Sequence, residues 1–167
     1  MKKIYLAFCL LVSTIAFAQP RIRVYAFAQE TTPGTIPVDE YGNPRKMEPN
    51  INYLLYAEYQ GSYAIKFDGV WIKGKGYSAQ SSVVTSTPVT ITNYDIPSKP
   101  VTIVLVPATK QKVMELQPIG RASINVNAAW FRDMLRKNEL IISYYYKGKK
   151  YFIPVRKLNW LPPVSAM

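Results

Sequence analysis

Hydrophobic and polar residues alternate over much of this chain. Ile51, Tyr53, Leu55, Ala57 and Tyr59 alternate with Asn52, Leu54, Tyr56 and Glu58, a period of two that predicts a β-strand. Apolar groups fall on both faces, which puts this strand inside a sheet and not at an edge. Gln60-Gly61-Ser62 supplies a turn, and residues 63–72 predict a second extended segment interrupted at Asp68-Gly69. Upstream, Ile22, Val24, Ala26 and Ala28 face one way while Arg21, Arg23, Tyr25 and Phe27 face the other, giving a first strand. After a turn at Gly74-Lys75-Gly76, the pattern predicts an exposed strand over 77–85, a short one over 88–92 and a buried one in the apolar run 101–106. A strand over 112–116 is ended by Gln117-Pro118, and 122–126 is a brief extended piece. The clearest hairpin joins 140–146 to 149–155 through Lys147-Gly148. Pro154 has no N–H to give a ladder and assigns the second of these strands to an edge.

One stretch has a helical period instead. Trp130, Phe131, Met134 and Leu135 share a face, with Arg132, Asp133, Arg136 and Lys137 around the rest. Asn127 suits the N-cap and Asn138 a left-handed end, so one short helix is predicted near 127–138. Residues 29–50 carry Pro33-Gly34, Pro37, Gly42-Asn43-Pro44 and Pro49 and predict a long loop. About 8–10 short strands with turn signals between them and one short helix predict an all-β fold. The form expected is an antiparallel β-sandwich, Ig-like, or a small barrel. A single domain is expected over residues 19–163, with a flexible tail at 164–167.

The start of the chain sets the compartment. Met1-Lys2-Lys3 is a positive n-region, Ile4 to Phe17 is uncharged and largely apolar, and Ala16-Phe17-Ala18 is a small-x-small cleavage pattern. This predicts a signal peptide over 1–18, cut after Ala18 and too short to span a bilayer. The expected location is periplasmic or secreted, with no transmembrane segment after cleavage. Cys9, the only cysteine, lies inside the apolar run and leaves with it, and the chain has no histidine. Ser-His-Asp and Cys-His catalysis and the usual zinc ligand sets are therefore excluded. No metal or cofactor is expected, because Asp39, Glu40 and Glu48 in the long loop lack the spacing of a calcium loop. No spacing picks out a Ser-Lys dyad. Glu58 and Asp68, the acids of the two central strands, are the pair a glycan hydrolase would need. A strand acid is more commonly a paired surface charge, and the chain is read as not an enzyme.

Charge and tyrosine content point to binding. The sequence has 21 Lys+Arg against 10 Asp+Glu and 13 tyrosines. After residue 100 the basic groups face only Glu115, Asp133 and Glu139, which predicts a surface for an anionic partner. The C-terminal hairpin concentrates this chemistry in Tyr144, Tyr146, Lys147, Lys149, Lys150 and Tyr151, with Arg132 and Arg136 on the helix as a second cluster. Of the consecutive Tyr144-Tyr145-Tyr146, at least one must point outward from a strand. The partner expected is a cell-envelope component, namely an anionic glycan, a lipid headgroup or an envelope protein. Nucleic acid is not expected, since export removes it from reach.

Several segments also carry a family resemblance. These are Asn52-Tyr53-Leu54-Leu55-Tyr56, Val70-Trp71-Ile72-Lys73-Gly74-Lys75, Thr87-Pro88-Val89, Leu105-Val106-Pro107-Ala108-Thr109 and Lys112-Val113-Met114-Glu115-Leu116. They resemble a group of small secreted proteins encoded beside TonB-type energy-transduction genes in Gram-negative bacteria. The resemblance covers residues 52–116 and implies a periplasmic accessory role around outer-membrane transport, with no site residues to carry over. The alternatives kept beside this reading are a small outer-membrane β-barrel and the carboxylate-dependent glycan hydrolase.

Overall fold

The computed structural model describes residues 19–32, 39–43, 50–93, 100–121 and 128–165. The predicted leader, Asn127, the extended piece at 122–126, Glu48 and most of the loop prolines lie outside the described residues. Ten strands are seen: β1 (Ile22–Thr32), β2 (Asn50–Tyr59), β3 (Ile65–Ile72), β4 (Lys75–Val83), β5 (Val89–Asn93), β6 (Val101–Val106), β7 (Lys112–Arg121), β8 (Leu140–Tyr146), β9 (Lys149–Val155) and β10 (Asn159–Ser165). Among the described residues there is one helix, α1, Ala129–Lys137. The described residues therefore form an all-β fold with one short helix.

Eight strands make one curled sheet in the order β10-β1-β2-β7-β4-β3-β8-β9, and β5 and β6 make a separate pair. As its two apolar faces predicted, β2 is internal. Strands β9 and β10 are the edges, and both carry proline: Pro154 in β9, Pro162 and Pro163 in β10. The sheet is mixed and not wholly antiparallel, because β10 runs parallel to β1. Within the predicted tail, Val164 and Ser165 belong to that strand and pair with Thr31 and Thr32, while residues 166–167 lie outside the described residues. The side chains of Gln29 and Asn93 donate to the carbonyls of Pro162 and Pro163 at 2.9 and 3.2 Å, binding an edge strand that its own prolines leave short of donors.

The concave face holds the main core. Ala26, Ala28, Leu55, Ala57, Val70, Ile72, Leu116, Leu140 and Ile142 are buried in it, together with Tyr59, Phe67, Tyr144 and Tyr146. Alternation along each strand turns the other residues to the convex face, which is covered in two places. The β5–β6 pair packs Leu105 and Val106 on Phe27, Tyr56, Val113 and Leu161. Helix α1 packs Phe131 on Trp71 and Ile141, with Phe152 alongside. Between these covers the convex face of β4 stays open, so Ser78, Gln80 and Ser82 are exposed. The run 101–106 is thus only half buried: Val101 and Val104 are exposed, while Leu105 and Val106 face the sheet.

Local chemistry explains most boundaries. Lys147-Gly148 and Lys73-Gly74 both have positive φ at each residue, as type I′ hairpin turns require; the first turn is the predicted one, and the second lies one residue before its expected place. Asp68 is the extra residue of a bulge between Phe67 and Gly69 opposite β8. Helix α1 starts from Ala128 with no side-chain cap. Asn138 ends it in an extended conformation and not the left-handed one, and caps it by donating its side-chain N–H to Met134 C=O at 2.8 Å.

Candidate functional site

Strand direction decides which basic residues meet. Strands β1, β3, β7 and β9 begin, and β2 and β8 finish, at one end of the sheet. That end gathers Arg21, Arg23, Lys110, Lys112, Lys147 and Lys149 from distant parts of the chain. Two of the acids on its strands, Glu58 and Asp68, have partners within the fold. Asp68 pairs with Lys150 at 2.5 Å. Glu58 is 9% exposed and accepts hydrogen bonds from the Tyr25 and Thr109 hydroxyls, both at 2.7 Å. The Thr109 hydroxyl, with help from Tyr25 and Arg23, holds the Glu58 carboxyl below its ordinary pKa against the opposing pull of burial. Burial and the neighbouring Glu58 charge push the Tyr25 phenol up.

A ladder of rings forms the floor of this end. Tyr59 meets Phe67 at 6.2 Å between centroids, Phe67 meets Tyr144 at 6.3 Å, and Tyr144 stacks on Tyr151 at 5.5 Å. Tyr63 packs edge-on to Tyr146 at 5.6 Å. Cations lie over the rim: Lys112 is 5.9 Å from the Tyr59 ring and Lys147 is 5.3 Å from the Tyr146 ring. Two hollows open here. One, of about 150 Å³, is lined by Tyr146, Lys147, Lys149 and Tyr151. The other is a wide groove lined by Arg21, Arg23, Glu58, Gln60 and Gln111 among others.

The predicted hairpin residues therefore divide. Lys147 and Lys149 are exposed at the tip, and Tyr146 and Tyr151 line the small hollow with them. Tyr144, however, is a core residue at 3% exposure, and burial raises its phenol pKa. Tyr146 is also buried, although it lines the small hollow. Their parity is the cause, since both continue the inward series Leu140, Ile142. The outward tyrosine of the three is Tyr145, with Lys150 5.4 Å over its ring. Lys150 lies on the convex face and already pairs with Asp68. Arg132 and Arg136 form a separate group on α1 beside a shallow groove, and Arg136 contacts Asp133 at 3.3 Å. Sequence reasoning missed Arg21, Arg23 and Lys112; their place at strand ends facing the hairpin follows only from sheet order.

The other sequence candidates have their own local roles. Glu58 and Asp68 sit on β2 and β3, three places apart in the strand order, and each is held by its own partners, Glu58 by Tyr25 and Thr109 and Asp68 by Lys150. Asp39 uses its carboxylate to accept the Tyr41 and Asn43 N–H groups at 2.9 and 2.8 Å, closing a turn. Among the described residues no group of three acids could hold a metal ion, and no helix is long and apolar enough to cross a membrane. Comparison with protein-family models, curated proteins and solved structures finds no match to this chain.

Proposed function

We propose that this protein is a non-enzymatic binding module of the secreted or periplasmic compartment. It engages an anionic cell-envelope component through the basic, tyrosine-lined end of its sheet, in a role accessory to outer-membrane transport. The observation that carries this reading is the meeting of Arg21, Arg23, Lys112, Lys147 and Lys149 at one end, where Glu58 and Asp68 are already taken up by internal partners. A field of one sign over that end attracts phosphate or carboxylate groups, and the half-buried Tyr63 and Tyr151 add amphipathic contact area. The membrane-barrel reading is less favoured: β9 and β10 remain edges, and exposed polar groups of β4 occupy the convex face. The hydrolase reading is less favoured, because Glu58 and Asp68 are each engaged by separate partners.

The test reverses charge at the tip. Lys147→Glu with Lys149→Glu leaves the Lys150–Asp68 pair in place, so the hairpin should fold normally. Retention on vesicles containing phosphatidylglycerol and on isolated envelope fractions should fall at least tenfold, by analogy with about 1 kcal/mol for each basic residue near an anionic surface. The remaining binding should also depend less on salt. Unchanged retention would remove the case for this surface.

A further inference from the structure

We infer that the gap between β2 and β7 is a docking slot for an extended peptide, which adds to β2 as a new strand. The inference does not rest on the basic surface, because the slot lies toward the opposite end of these strands. Val84 N–H donates to Val113 C=O at 3.0 Å. Odd-numbered residues of β7 therefore turn their backbone groups toward β4, and even-numbered ones toward β2. Leu55 and Leu116 are then a hydrogen-bonded pair, and the next such pair in register would join Tyr53 to Pro118. Pro118 has no N–H to offer. Pairing of β2 with β7 stops at that point, although β2 stays paired with β1 as far as Asn50 and β7 with β4 as far as Arg121.

Over residues 50–54, β2 therefore has no strand partner on its β7 side among the described residues. Ile51 and Tyr53 each turn an N–H and a C=O into the gap, about 7 Å apart along β2. The gap is a cleft of about 530 Å³, with Ile51 to Leu54 on one wall, Gln117 and Pro118 on the other, and Ile72 and Tyr77 also lining it. Two donor–acceptor pairs at strand spacing match another extended backbone, the mode by which peptides add to sheets. The hydroxyls of a sugar ring do not repeat at that interval. Glu115 is the only charged residue of the lining, so the slot suits a peptide with neutral or basic side chains.

The probe is a pool of capped hexapeptides in which valine alternates with threonine or lysine. A second pool is N-methylated at alternate backbone nitrogens in both phases. The first pool should slow amide hydrogen exchange at Ile51 and Tyr53 at least tenfold, and the methylated pool should not. Pro118→Ala restores the missing donor, so the β2–β7 ladder should extend to Tyr53, slow those two amides without peptide and abolish the effect of the pool. The inference is overturned if the first pool gives no slowing at these amides, if both pools act equally, if protection falls on edge strand β9 instead, or if the Pro118→Ala protein still takes up peptide.

Discussion

Replacing Phe131 with alanine should cost the fold about 3–5 kcal/mol, the range for truncating a buried phenylalanine. Its ring is 1% exposed and lies 5.0 Å from Trp71, 5.2 Å from Phe152 and 5.5 Å from Trp130. Nothing else on α1 is fully buried, and the helix has no side-chain N-cap. A nine-residue helix cannot hold itself in water, so its order depends on this one packed ring. Denaturant unfolding should show the loss, and the near-UV signal of the aromatic cluster should weaken before global unfolding. Trp130→Ala is the control: Trp130 is 53% exposed, and its loss should cost about 1 kcal/mol, close to the value of an aromatic pair. A Phe131→Ala cost below that of Trp130→Ala would mean that α1 is not held as described.

Glu58→Ala ranks second, at roughly 2–3 kcal/mol, because two hydroxyls lose a charged acceptor at once. The effect should reach beyond β2. Thr109 also exchanges hydrogen bonds with Thr87, accepting through its carbonyl at 3.1 Å and donating its N–H at 3.0 Å. The chain Tyr25–Glu58–Thr109–Thr87 thus ties the loops at the base of the β5–β6 pair to the main sheet. Amide exchange over β5 and β6 should quicken in the variant, and Tyr25→Phe combined with Glu58→Ala should cost less than the two separately. The exposed Arg23, 3.8 Å from Glu58, should matter little.

The same group sets an acid limb. Its carboxyl pKa is depressed in the folded protein, so its contribution is fully present above the usual glutamate value of about 4.3. It is lost as pH falls through the lowered folded value. A Glu58→Gln protein should therefore lose less stability than the wild type over that acid range, as read from unfolding midpoints. Parallel acid curves for the two proteins would show that Glu58 is not held ionised by its neighbours.

Local chemistry was legible in the sequence, and long-range pairing was not. The β8–β9 hairpin, its Lys147-Gly148 turn and an interruption at Asp68-Gly69 follow from period, turn residues and glycine placement alone. Pro154 correctly placed β9 at an edge. Helix α1 was readable from Trp130, Phe131, Met134 and Leu135, because an amphipathic stripe reports its own packing face. Strand β10 was not, since Trp160-Leu161-Pro162-Pro163 has no alternation and its partner β1 lies at the other end of the sequence. The basic end was half legible. Lys147 and Lys149 stand together in the chain, whereas Arg21, Arg23 and Lys112 join them only through strand order. Tyr144 and Tyr146 went to the core because period two fixes that they share a side, while the side itself is set by Leu140 and Ile142. Pro118 carried a signal that was only half read: it ends pairing with β2 but not the strand, because its missing N–H faces away from β4.

The parallel placement of β1 and β10 has a practical corollary for handling the molecule. Strand β1 enters beside the basic surface, and β10 leaves at the far end, a separation of about 30 Å along the strands. A fluorophore or surface tether attached after Ser165 would leave the lysine tip facing solution. One attached ahead of Arg21 would crowd it. A linker joining Arg21 to Ser165 would have to run the whole height of the sheet.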